Sequence, residues 1–189
     1  MVIFGANGDL TKRKLVPALY RLAYDRRLST GFSVIGISRT GMSDDQFREK
    51  MREAVLQFAG KDAFDEEVWR SFASGLFYMA GDVNDAKMYQ RLGECIEEVS
   101  GSRALAKSGN VLFYLATQPS QYEPIAQGLG KAGLAKAEGW RRLVVEKPFG
   151  HDLASARELS NRLHDFFDES EVYRERDAQR VRRPLTQQS

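Results

Sequence analysis

Five short runs rich in β-branched and aromatic residues alternate with amphipathic stretches, and this alternation restricts the fold more than any other feature of the chain. The runs are Val2-Ile3-Phe4, Phe32-Ser33-Val34-Ile35-Gly36-Ile37, Leu76-Phe77-Tyr78-Met79, Val111-Leu112-Phe113-Tyr114-Leu115-Ala116 and Leu143-Val144-Val145. Runs that are apolar on both faces suit strands buried between helix layers. Strand, helix, strand, helix in repetition demands parallel pairing with right-handed crossovers. The sequence therefore predicts an α/β fold: a doubly wound, mostly parallel sheet with helices on both faces. Ligands on such sheets bind beyond the carboxyl ends of the strands, so the loops after strands are where function is sought.

The intervening stretches carry helix signals. Leu15, Leu19 and Leu22, with Val16 and Tyr20, share one helical face. Ser43 with Gln46 three residues on forms a capping-box pattern ahead of Phe47, Met51, Val55 and Phe58, and Gly60 supplies a stop. Residues 65–73 predict a short helix. Asn84 or Asp85 caps a helix expected to reach Ser100. Residues 119–132 read as helical, with Pro124 a weak point inside. Asp152 is a candidate N-cap for 153–167, where Leu159, Leu163 and Phe166 share a face. Residues 1–170 read as one dinucleotide-binding domain. Residues 171–189 read as a polar, Arg-rich tail without apolar periodicity, expected to be disordered.

Composition excludes several function classes. With 28 basic and 26 acidic residues the net charge is only +2, which gives no case for a nucleic-acid partner. Arg180, Arg182 and Arg183 form a short cluster of the kind usually found on a solvated face. One cysteine, Cys95, fits a reducing compartment, and its acidic neighbours work against a reactive thiolate. His151 and His164 beside one cysteine provide no zinc spacing. No apolar run approaches a membrane span, and the expected location is cytoplasmic.

The stretch FGANGDLTKRK, starting at Phe4, sits where the first strand meets the first helix. Gly5, Ala6, Asn7, Gly8, Asp9 and Leu10 suit either a tight turn that needs glycine angles or a cradle of backbone N–H groups for a pyrophosphate at a helix N-terminus. Two glycines fall short of the full dinucleotide fingerprint, so this stretch alone leaves both readings open. The end of the second strand tips the balance. NAD-binding folds place a carboxylate there for the adenosine ribose. Here the sequence is GISRTG, and Ser38, Arg39 and Thr40 offer donors and a guanidinium. That chemistry suits the 2′-phosphate of NADP. A Walker pattern is absent, and no tyrosine has a lysine four residues on, as a short-chain dehydrogenase requires.

The fifth strand ends in VVEKPFG. Pro148 pushes Lys147 out of helical angles, leaving Lys147 either aimed over the sheet or paired with Glu146 at the surface.

Taken together, FGANGDLTKRKLVPALYRL, VIGISRTG, VLFYLATQPSQYEPIAQGL and LVVEKPFGHDLASARELSNRL resemble the coenzyme domain of the glucose-6-phosphate dehydrogenase family. The resemblance spans residues 2–174, and EKPFG is its sharpest motif. Asn7 stands where the family most often has serine. The resemblance implies a Rossmann-like fold that binds NADP, with Gly5 to Leu10 as the dinucleotide turn and Arg39 on the 2′-phosphate. It implies that Asp82 and Val83 lie near the adenine or ribose, and that Ala116, Thr117 and Pro119 flank the nicotinamide. It further implies that Lys147 contacts both the sugar phosphate and the coenzyme, and that Pro148 is a hinge relaying binding between them.

The chain also departs from the family. There the Tyr-Arg matched by Tyr173-Arg174 runs on into residues for the substrate phosphate, and then into a large domain with the general-base histidine. Here Glu175-Arg176-Asp177-Ala178 follow, and no histidine lies beyond His164. The expected catalytic set is therefore empty, with glucose 6-phosphate bound weakly if at all, and the break reads as a truncation or shifted frame. The alternatives are a non-catalytic NADP-binding module or vestigial product, with a partner for the face left by the missing domain, or a structural domain without ligand.

Overall fold

The computed structural model describes residues 1–29, 31–60, 64–102, 109–146 and 153–174. Strand β1 (Val2–Phe4) leads through a π-helical turn (Thr11–Leu15) into α1 (Val16–Tyr24). Strand β2 (Val34–Ser38) is followed by α2 (Asp44–Phe58) and α3 (Glu66–Ala73). Then come β3 (Leu76–Ala80), α4 (Ala86–Ser102), β4 (Val111–Leu115), a 3-10 turn (Pro119–Gln121) and α5 (Tyr122–Lys131). β5 (Arg141–Val145), α6 (Leu153–His164), a 3-10 turn (Glu169–Glu171) and β6 (Val172–Arg174) complete the order.

All six strands run parallel in the order β3-β2-β1-β4-β5-β6. Strand order reverses direction between β1 and β4, and a crevice opens at the carboxyl ends of such neighbours. The two sheet faces carry separate cores. Ile3 points to a layer built by Val16 and Tyr20 of α1, Phe47, Met51 and Val55 of α2, and Trp69 and Phe72 of α3. Val2 and Phe4 point the other way, to Leu92 of α4, Ile125 and Leu129 of α5 and Leu163 of α6. The alternation along β1 is the period-two pleat of a strand covered on both sides.

Local chemistry explains the element boundaries. The capping box expected at Ser43 is present, with Ser43 Oγ accepting the Gln46 N–H and Gln46 Oε1 accepting the Ser43 N–H. Gly60 follows the helix with a φ of 88°, an angle glycine adopts at least cost. Asp65 accepts the N–H groups of Glu67 and Val68 and starts α3. Of the two candidate caps for α4, Asp85 takes the Lys87 N–H, while Asn84 bonds back to Asp82.

Four expectations are corrected. Pro124 is no weak point: α5 starts at Tyr122, so the proline falls in the first turn, where its missing N–H is not needed. β5 starts two residues before Leu143, with Arg141 8% exposed and its guanidinium donating to the Gly109 carbonyl. Such satisfaction of a buried charge by backbone is invisible to an apolar-run search. β2 starts at Val34 rather than Phe32. The boundary at 170 falls too early, because Val172–Arg174 pairs with β5 through Leu143↔Val172 and Val145↔Arg174. Backbone pairing, Val172 against the core and the Arg142 guanidinium over the Tyr173 ring hold this edge strand. Asp152 and residues 175–189 lie outside the described residues.

Candidate dinucleotide site

The carboxyl ends of β1, β2, β3, β4 and β5 surround a cleft of about 660 Å³. That volume lies within the range of small-molecule and cofactor sites. Of the residues singled out by sequence, Gly5, Gly8, Leu10, Arg39, Asp82, Val83, Ala116, Thr117 and Pro119 line it. Ala6, Asn7 and Asp9 belong to the same turn without lining the cleft, and Ala6 is fully buried beneath it. Lys147 and Pro148 lie outside the described residues, as does His151.

The glycine turn is built by close approach. Gly5 has a φ of 86°, and a β-carbon there would meet the Ala116 carbonyl oxygen at 2.4 Å. A β-carbon on Gly8 would come within 3.1 Å of the Gly5 carbonyl oxygen. That same oxygen accepts the Gly8 N–H at 2.9 Å and the hydroxyl of fully buried Thr11 at 3.1 Å. The Gly5 and Ala6 N–H groups are spent on the Ile37 carbonyl. Among the described residues, no backbone acceptor takes the N–H groups of Asn7, Asp9 or Leu10. Leu10 already has helical angles, so these donors stand at the positive end of a helix.

Two side-chain oxygens near the turn lack partners, and one of them faces the cleft. Asn7 Oδ1 and Thr117 Oγ1 are buried without a hydrogen-bond partner among the described residues. Buried polar atoms are paired in nearly all folded proteins, and Thr117 lines the cleft, so its orphaned hydroxyl points to a polar occupant there. A dinucleotide, polar along its whole length, fits this donor and acceptor set and the glycine cradle beneath it.

Arg39 stands exposed on the rim at the end of β2. Among the described residues it makes no hydrogen bond or salt bridge, which leaves its guanidinium open to an anion. Opposite, the Asp82 carboxyl is held below its ordinary value chiefly by the Asn84 backbone N–H; desolvation opposes this, and the Asn84 amide and the charge of Arg39 add smaller lowering effects. Tyr89, from α4, donates its hydroxyl to the Val83 carbonyl at 2.7 Å and so ties down this second loop. Burial pushes the Tyr89 hydroxyl up strongly, which keeps it a donor.

At the far end of the cleft, the Glu146 carboxylate takes the hydroxyl of Tyr114, and its carbonyl takes that of Tyr122 at 3.1 Å. Burial pushes the Tyr122 hydroxyl up to about 12, so it too stays protonated. Sequence reading offered Glu146 as a surface partner of Lys147; the structure gives its carboxylate a tyrosine partner across the sheet. The tyrosines at 78, 114 and 122 escaped notice because their partners are distant in sequence, and Tyr89 because a hydroxyl bonded to a loop carbonyl six residues back leaves no pattern in the sequence. Cys95 behaves as expected in direction, with burial rather than acidic neighbours as the main cause that pushes the thiol up. His164 is tied to Ser160 Oγ on α6 and to the Phe167 carbonyl just beyond it, a structural role.

Residues 2–175 match the family model described as glucose-6-phosphate dehydrogenase, NAD binding domain. The chain belongs to this family. The glucose-6-phosphate 1-dehydrogenase of Aggregatibacter actinomycetemcomitans is 44% identical over 175 residues, covering 92% of this chain and 34% of that protein. That of Bacillus subtilis is 36% identical over 174 residues with the same coverage. Among solved structures, a glucose-6-phosphate dehydrogenase in complex with glucose-6-phosphate superposes with a TM-score of 0.83 at 36% identity, over 92% of this chain and 35% of that one. A glucose-6-phosphate 1-dehydrogenase from Mycobacterium avium gives 0.78 at 37% identity over the same shares. The chain thus spans about a third of the length of the relatives it matches, and that third is their dinucleotide-binding domain. No helix among the described residues is long and apolar enough to cross a membrane.

Proposed function

We propose that the cleft binds NADP, and that this domain is the coenzyme half of an enzyme that oxidises glucose 6-phosphate to 6-phosphogluconolactone in the pentose phosphate pathway of the cytoplasm. The observation that carries the NADP reading is Arg39, a guanidinium without a hydrogen bond or salt bridge among the described residues, at the end of β2 where an NAD site would place a carboxylate. When bound, the coenzyme supplies the hydride acceptor. In this reading the turn from Gly5 through Ala6, Asn7, Gly8 and Asp9 to Leu10 holds the pyrophosphate, with the N–H groups of Asn7, Asp9 and Leu10 as its open donors. Arg39 holds the 2′-phosphate, Asp82 and Val83 border the adenosine, and Ala116, Thr117 and Pro119 orient the nicotinamide. Lys147 follows directly on Glu146, which lines the cleft, and is assigned to both sugar phosphate and coenzyme.

Sugar oxidation also needs a base for the hydroxyl proton and a clamp for the phosphate. Within these 189 residues the histidines are His151 and the structurally engaged His164. In this reading the described residues supply coenzyme binding, and neither histidine is assigned the proton transfer. A calorimetric titration with NADP and with NAD, repeated on Arg39→Ala, tests the proposal. Saturable NADP binding that the substitution weakens supports it. A folded sample that binds neither nucleotide overturns it.

A further inference from the structure

Arg39 sits in a loop, 39–43, that leaves β2 and enters α2. A side chain able to select a 2′-phosphate must be held still, because ordering a mobile arginine on binding consumes affinity. What holds this loop is on β3. Ser38 Oγ lies 2.6 Å from the Tyr78 hydroxyl oxygen, and the same hydroxyl bonds the Thr40 carbonyl. A carbonyl can only accept, so the single phenolic proton goes to Thr40 and the Ser38 hydroxyl donates to Tyr78. The residues on both sides of Arg39 are therefore fixed to one oxygen. The Tyr78 backbone N–H meanwhile donates to Asp44 Oδ1 at 2.7 Å, where the loop becomes α2. The ring packs on Phe47 at 5.2 Å between centroids, which fixes its own direction. Gly41, midway, has open space around it, while Met42 packs on the core layer and Ser43 is held in the α2 capping box, so the end of the loop next to Arg39 depends on Tyr78.

We infer that Tyr78 is the positioning residue for coenzyme selectivity: it aims Arg39 and so sets the preference for a 2′-phosphorylated dinucleotide without touching the ligand. This rests on the proposal that Arg39 reads that phosphate. Tyr78 is distinct in role from Tyr89, which secures the loop on the other side of the cleft.

The test measures NADP and NAD dissociation constants by calorimetry for the wild type, Tyr78→Phe, Arg39→Ala and the double variant, with melting temperatures for each. Tyr78→Phe keeps the ring and its packing and removes one oxygen. The expected result is an NADP affinity lower by roughly threefold to tenfold, the worth of one lost hydrogen bond, with NAD changed by less than about twofold. The double variant should bind NADP no more weakly than Arg39→Ala alone, because both act through one guanidinium. Equal losses for both nucleotides, additive losses in the double variant, or no loss would overturn the assignment of Tyr78. A wild type without NADP preference, or an Arg39→Ala without effect, would instead overturn the underlying reading of Arg39, and the assignment with it. If Tyr78→Phe does not fold, Asp44→Ala serves in its place. It frees the other end of the loop, and the same selective loss of NADP is expected.

Discussion

A β-carbon placed on Gly5 would lie 2.4 Å from the carbonyl oxygen of Ala116, closer than any real contact of that kind. The end of β1 and the end of β4 thus meet backbone to backbone at the point where the strand order reverses. Two consequences follow from one glycine: the sheet can close here, and a ligand can approach the turn.

Gly5→Ala is accordingly expected to cost about 3 kcal/mol of stability or more, from the clash and from a φ of 86° that alanine resists. Gly41→Ala, with nothing near its β-carbon, serves as the control and should be nearly neutral. Thermal melts of the two variants check this. A Gly5→Ala protein as stable as the control would contradict the close approach.

The fold was legible because alternation of apolar runs and helical patterns is written locally. β1 through β5, the Ser43 cap and the short helix from Asp65 each depend on neighbours a few residues apart. β6 was missed because Val172–Arg174 is a three-residue edge with a single apolar contact to the core, inside an Arg-rich stretch. The glycine turn and Arg39 were legible as types of chemistry at known places on such a sheet. Tyr78 and Tyr89 were not, since a hydroxyl 38 to 40 residues from its partner, or buried against the next helix, leaves no pattern in the sequence.

Tyr89→Phe should act differently from Tyr78→Phe. It releases the carbonyl of Val83, which lines the cleft and is assigned in the proposed function to the adenosine that both coenzymes share. NADP and NAD should therefore weaken together, by roughly the same twofold to fivefold, with stability falling by about 1 kcal/mol. Gly128→Ala, whose β-carbon would come within 2.2 Å of the Tyr89 ring, should reproduce the effect with a larger loss of stability. Paired titrations of both variants check it, and a loss confined to NADP would contradict it.

Asp82 gives a pH signature. Its carboxyl is held below the ordinary 3.8, first by the Asn84 N–H, with the Asn84 amide and Arg39 adding to it. A depressed folded-state value contributes stability that is complete above about pH 4 and is lost as pH falls through the lower folded value. The carboxyl resonance followed by NMR should titrate below 3.8, and its midpoint should move upward in Arg39→Ala. A midpoint at or above 3.8 would contradict the loop geometry.

A polypeptide of these 189 residues, mixed with NADP and glucose 6-phosphate, is expected to show no measurable formation of NADPH. Absence of a general base alone typically costs about 10²–10⁴-fold. Absorbance at the reduced-nicotinamide band reads this directly, and turnover at an ordinary dehydrogenase rate would show that the proton is taken by a group within this domain.

The central claim is that the cleft at the switch between β1 and β4 holds NADP, with the pyrophosphate on the glycine turn and the 2′-phosphate on Arg39. Backbone amide NMR during titration with NADP, and then with NAD, tests it most directly. Saturable shifts at Gly5, Asn7, Gly8, Leu10 and Thr117 with both nucleotides, and at Arg39 and Thr40 with NADP alone, are the predicted result. Shifts that leave the glycine turn and Arg39 unmoved while the protein stays folded would contradict it.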